Sequence, residues 1–314
     1  MTTASIPSTL GALLVGGLLS VFLSGTVSMQ TVLYSTVYQK DMIWLKALVY
    51  LIWFLDFLHT VFICVAEWSY FIAHWNDVDI VDWIPWGIAA TVALTAIMTF
   101  VVQCFFAYRV YTVSRHKIHI ALPLGVIALA RLVAALVSTV MMIRYQSYAI
   151  FRSRVGWVFT LGLTLSALLD ILVAGSLCYY LRKNRNGFTS MDAVINTLTF
   201  YTVQNGSLTF VATLIALICW VSLRNLVFLA LHFVITKLYA NAFLSTLNAR
   251  RTIRLQQSSA SAERDPSMPA VFTTTDFSAA DRVRHHNSRY VSDIPHRTDG
   301  SSPKHAHRRS LIFP

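Results

Sequence analysis

Four ionisable side chains stand inside runs that are otherwise apolar. Asp56 lies in LVYLIWFLDFLHTVFICVA, Arg131 in GVIALARLVAALV, Asp170 in LTLSALLDILVAG and Lys237 in LALHFVITKLYANAFL. An unpaired charge in hydrocarbon costs at least about 2.5–3.5 kcal/mol. Two acids and two bases at similar depth can instead neutralise one another inside a protein. The sequence leaves the pairing open: Asp170 with Lys237 and Asp56 with Arg131, or the reverse. Such pairs fix helix register, or they line a polar cavity for a ligand or ion, or they break on activation.

Other polar groups recur at helical spacing around these four. His59 and Glu67 follow Asp56 at offsets of 3 and 11, on one helix face. Lys237, Asn241, Ser245 and Asn248, spaced 4, 4 and 3, form a stripe, and the same apolar run also carries His232. Thr91, Thr95, Thr99 and Gln103 make a second stripe, and Thr197, Tyr201 and Gln204 or Asn205 a third. The candidate polar core is therefore Asp56, His59, Arg131, Asp170, Gln204, Asn205, His232, Lys237 and Asn241. Gly17, Ser20, Ser24 and Ser28 form a small-residue stripe suited to close helix approach, not to serine catalysis.

The elements that must hold these groups are long helices. The chain has 314 residues, 56% hydrophobic and only 12% charged. Its mean hydropathy is +0.58. Apolar runs of about 20 residues point to transmembrane helices. Seven are expected: about Leu10–Tyr34, Met42–Ala66, Pro85–Tyr108, Ile118–Ile143, Val155–Leu181, Met191–Val221 and Leu226–Arg251. Trp68, Tyr70, Trp75, Trp83 and Trp86 suggest an interfacial belt around an acidic link with Asp77, Asp79 and Asp82. Cys64, Cys104, Cys178 and Cys219 all fall within spans and are expected as buried small hydrophobes, without a disulfide or metal role.

The fold class is thus all-α, a polytopic membrane protein with a seven-transmembrane-helix bundle. Residues 1–9 form a short extracellular N-terminus, 10–251 the transmembrane domain, and 252–314 a disordered basic cytosolic tail. Lys40, Lys46, Arg109, Arg115, Lys117, Arg182, Lys183 and Arg185 outnumber Arg144, Arg152, Arg154 and Arg224 on the other side. The positive-inside rule then places the N-terminus outside and the C-terminus inside. The basic stretch between helices 4 and 5 runs against that assignment. Arg250, Arg251 and Arg254 suit anionic lipid headgroups. The net charge of +11 sits in short links and the tail, so it does not indicate nucleic acid. His285, His286, His305 and His307 are too irregular for a metal site, and Arg308-Arg309-Ser310 offers a phosphosite at Ser310.

Four stretches, GWVFTLGLTLSALLDILVAGSLCYYLRKNRNGF, SMDAVINTLTFYTVQNGSLT, LHFVITKLYANAFLSTLNARR and LDFLHTVFICVAEWSYFIAHW, resemble an uncharacterised family of multi-pass membrane proteins from mushroom-forming basidiomycete fungi. The family's domain of unknown function would cover about 157–251. The resemblance implies fold and membrane location, and it implies no catalytic or ligand residue.

The leading functional expectation is a receptor-like seven-helix sensor in the plasma membrane, with an unidentified ligand. The alternative is a small-solute or ion transporter or channel. CFFAYRVY and LYANAFL replace the Asp-Arg-Tyr and Asn-Pro-x-x-Tyr of rhodopsin-like receptors. A retinal Schiff base on Lys237 would want a carboxylate within helix 3, which has none, so no cofactor is expected. Without GxSxG, HExxH or a histidine-rich cluster, no enzyme is expected either.

Overall fold

The structure is a computed structural model that describes residues 6–74, 77–183, 189–223 and 225–262, of which 6–8, 78–79, 189–200, 202 and 251–262 by backbone alone. Seven long helices carry the fold: α1 (Ile6–Val37), α2 (Ile43–Trp68), α3 (Trp86–Val113), α4 (Ile118–Tyr145), α5 (Tyr148–Lys183), α6 (Thr189–Ser222) and α7 (Val227–Ala262). One π-helical turn, Ser69–Ala73, extends α2, and a 3-10 turn covers Val78–Val81. Each of the seven contains a stretch long and apolar enough to cross a membrane.

Consecutive helices pack as neighbours, and α1 closes the ring against α7. Across the middle, α3 meets both α5 and α7. Burial separates centre from rim. Within an 18-residue apolar stretch of each span, 72% of residues are buried in α7 and 61% in α3, against 22–39% in the other five. Yet α7 has the lowest span hydropathy of the seven, 1.6. The most enclosed helix is the most polar because protein, not lipid, surrounds it. The rim helices turn Phe22, Phe57, Val126, Val140, Trp157 and Ile171 outward, the surface a bilayer covers.

One link is shorter than composition suggests. Between α4 and α5 only Gln146 and Ser147 remain outside helix. Gln146 takes φ 52° and bonds back to Met142, which ends α4. The next helix starts at once, because Asp82 acts as a cap from the α2–α3 link. Its Oδ1 accepts from the Ala149 N–H (2.8 Å) and its Oδ2 from the Ser147 hydroxyl (2.5 Å). Backbone bonds Ile84 N–H to Gln146 O and Tyr148 N–H to Asp82 O complete a staple between the links.

The expected basic link Arg144–Arg154 is therefore mostly helix. Within α5, Arg152 reaches the last carbonyls of α6, bonding Leu223 O (2.7 Å), Val221 O (3.1 Å) and Trp220 O, and lies over the Trp220 ring. A cation at a helix C-terminus satisfies orphan carbonyls and the negative end of the dipole. Arg152 is thus a structural cap.

At the other end, α7 continues to Ala262, past Thr252 where the tail was expected to begin. The segment Thr252–Ala262 holds neither Gly nor Pro, so nothing in it stops the helix. Tyr70 is another departure from expectation. It is 2% exposed and donates to Trp83 O (2.8 Å), whereas Trp68 and Trp86 are exposed as a belt requires. The cysteines differ too: Cys64 is exposed and the other three are half-buried, Cys219 among them packing against the core. All four are free. Trp75, Arg185, Arg224, His285, His286, His305, His307, Arg308, Arg309 and Ser310, and the side chains of Asp79, Thr197, Arg251 and Arg254, lie outside the described residues.

Candidate functional site

The polar core is built on two faces of α7. Lys237 and Tyr239 are two residues apart, so they point about 200° apart around the helix. Each anchors a separate cluster.

On the first face, Lys237 Nζ lies 3.0 Å from Asp56 Oδ1, and both side chains are 0–1% exposed. The ammonium also donates to Asp56 O (2.8 Å) and Thr60 Oγ1 (2.6 Å). Ser24 of α1 donates to Asp56 Oδ2 (2.5 Å). Three helices thus share one buried pair whose remaining valences are largely filled by hydrogen bonds. Below it, Asn241 Oδ1 accepts from Thr26 (2.7 Å) and Gln30 (2.9 Å) of α1, and Asn248 donates to Gln30 O (3.0 Å). Ser245 leaves this stripe. Eight residues after Lys237 it has rotated about 80° and faces α6, where it accepts from Asn205 Nδ2 (2.8 Å).

On the second face, the Tyr239 hydroxyl meets both oxygens of Asp170 of α5 (2.9 and 2.7 Å) and Ser166 Oγ (3.0 Å). Thr209 of α6 lines the same cavity as Asp170 and donates to Asn205 O (3.2 Å) of its own helix. Arg131 of α4 bonds Thr99 Oγ1 of α3, and its guanidinium carbon lies 6.0 Å from the Tyr239 ring centre. It interacts electrostatically with Asp170, but among the described residues the two form no ion pair within 4.0 Å. Of the two pairings the sequence left open, Lys237 takes Asp56, and Arg131 shares Asp170 at a distance, with Tyr239 between. The four charges form two clusters and not a single cluster.

A hydroxyl ladder on α3 runs between the clusters. Thr95 Oγ1 lies 2.7 Å from Thr236 Oγ1 and 3.3 Å from His59 Nε2, and Thr99 donates to Thr95 O (2.5 Å). His59 is fully buried, edge-on to Phe233, and its Nδ1 has no hydrogen-bond partner. His232, 8% exposed and 6.3 Å from the Phe159 ring, has an unpartnered Nε2. Glu67 is half-buried against Gly17 of α1. Asn205 joins α6 to α7 through Ser245, Thr246 and Ala242. Gln204 does not join the core. It is exposed, since Asn205 takes the inward position and its neighbour is displaced by about 100°.

Beside Asp170 lies a cavity of about 30 Å³, room for about one or two waters, between α3, α5, α6 and α7. Gln103, Asn205, Thr209 and Tyr239 contribute to its wall. Gln103 is 3% exposed and neither amide atom has a hydrogen-bond partner. Gly206 packs so closely on Ala174 that a Cβ would fall 2.9 Å from that methyl, so α5 and α6 pinch together here.

Sequence reasoning missed Tyr239, Ser24, Thr60, Ser166 and Thr209. Tyr239 had a signal, its offset of two from Lys237 in the helix with the most intramembrane polar groups. Ser24 stood in the small-residue stripe of the first helix but was read there as packing, and Thr60, Ser166 and Thr209 had no signal. Among the described residues no three His, Cys, Asp or Glu side chains group so as to hold a metal ion.

Fold and core together define a seven-helix multi-pass membrane protein with a charged, hydroxyl-rich interior. Residues 166–252, from Asp170 through the polar face of α7, match a family of unknown function (DUF6534). No curated protein and no solved structure matches the chain.

Proposed function

We propose that the protein is a receptor-like sensor in which α7 is the moving element. The observation that carries this reading is the grip on α7 from opposite faces, by Asp56 through Lys237 and by Asp170 through Tyr239. A small rotation of α7 strains both clusters at once, and such packed ionic contacts favour discrete arrangements over gradual ones. The helix then runs on to Ala262, which gives it a lever beyond its apolar span. In this reading the chain is not an enzyme, the N-terminus is outside, the C-terminus is cytosolic and the membrane is the plasma membrane. A fungal source rests only on the sequence likeness of the four quoted stretches.

The test is a ligand screen by thermal stability on purified full-length protein, alongside Asp170→Asn and Lys237→Met. A ligand whose stabilisation disappears in those variants supports the reading. Ligand stabilisation that is identical in parent and both variants removes the polar core from sensing.

One observation favours transport as a second reading. Asp170, the unpartnered Gln103 and Asn205 surround the cavity, as a small-solute or ion path requires. Substrate accumulation in vesicles, abolished by Asp170→Asn, would favour transport over sensing.

A further inference from the structure

The α3–α4 face carries a second feature, remote from the polar core. An apolar groove of about 440 Å³ runs between the two helices, lined by Tyr108, Tyr111, Leu122, Gly125, Val126 and Leu129, among others. Gly125 is one of its lining residues, and the space beside it is open: an added Cβ would meet nothing within 4 Å. From Ile118 to Leu129 the helix rises about 16 Å, close to the half-thickness of a bilayer core of about 30 Å. The groove is therefore about as long as one leaflet of a bilayer core is thick.

Its mouth is the α3–α4 turn. Arg115, His116, Lys117 and His119 are all exposed there, and the stretch from Val113 to Ala121 contains no Asp or Glu. Arg115 and His116 hold φ of 60° and 65°, a left-handed pair that ends α3 and swings the turn sideways. The His116 ring then sits 5.0 Å from that of Tyr111, a groove residue, so the basic turn adjoins the apolar trough. The first turn of α4 receives no side-chain cap, since Lys117 stands at the N-cap.

We propose that this groove binds an anionic glycerophospholipid, one acyl chain along Tyr108–Leu129 and the phosphate on Arg115 and Lys117. Charge complementarity selects the headgroup, because cations beside a membrane surface attract acidic lipids. The apolar trough selects a chain-bearing lipid over a free phosphate.

The test uses full-length protein in neutral detergent, titrated with phosphatidylserine or phosphatidylcholine of identical chains and read by native mass spectrometry. The parent should prefer phosphatidylserine. Arg115→Gln with Lys117→Gln should lower that preference by about five-fold for each charge removed. Gly125→Trp should weaken both lipids by blocking the trough, and exposed Leu122→Trp does the same should Gly125→Trp not fold. Arg144→Gln, at the far end of α4, should change nothing. The proposal is overturned if the Arg115/Lys117 variant keeps the full preference, which would leave the effect to the basic residues at the end of α7. It is equally overturned if both tryptophan variants bind as the parent does.

Discussion

The two clusters on α7 solve one problem differently. Lys237 and Asp56 touch, and Ser24 and Thr60 fill the valences around them. Arg131 and Asp170 do not touch: a tyrosine stands between them and a cavity lies alongside. A contact pair closed on all sides holds helices in register. A separated pair with a cavity beside it leaves its charges less fully compensated. The first cluster is therefore the more tightly packed of the two holds on α7, and the second has space beside it.

Removing one partner of the closed pair should have the largest effect. Lys237→Met leaves Asp56 buried and alone, at a cost of about 3–5 kcal/mol. The double variant Asp56→Asn/Lys237→Met should recover much of that loss, read as melting temperature. If the single variant melts like the parent, the contrast between the clusters fails.

Next is Tyr239→Phe, which strips Asp170 of its double contact and should cost about 1.5–3 kcal/mol. A double-mutant cycle with Asp170→Asn should give a coupling of about 0.5–3 kcal/mol, whereas Tyr239→Phe with Asp56→Asn should be additive. Coupling across the clusters would instead make them one unit.

Away from both clusters, Arg152→Gln should cost about 1 kcal/mol by uncapping α6. It should leave any ligand response intact. The smallest effect is expected at Gln103. Its amide is buried without a partner, so Gln103→Leu should be neutral or stabilising by less than about 1 kcal/mol. A clear loss of stability there would mean that ordered water or another group already satisfies the amide.

Much of the architecture was legible in the chain. Seven apolar runs specify seven helices because the period of helical burial and the length of a span are local properties. The Thr91–Gln103 stripe and the Asp56–His59 face were also legible, since spacing alone sets a shared face. Helix ends were less so. The start of α5 depends on Asp82, a cap supplied from the α2–α3 link, and no local rule reveals such a partner. For the same reason Arg152 looked like topological charge until the end of α6 was seen beside it.

The sequence by itself determined that Asp56, Arg131, Asp170 and Lys237 must be received by protein, because an ionised group in lipid is costly wherever its helix stands. It also determined that the last helix turns a polar stripe inward, because a spanning helix keeps such groups only where protein receives them. Which acid answers which base was decided only by tertiary structure. Pairing depends on the rotation and height of each helix against its neighbours. Those are set by contacts such as Gly17 with Glu67 and Gly206 with Ala174, between residues far apart in the chain.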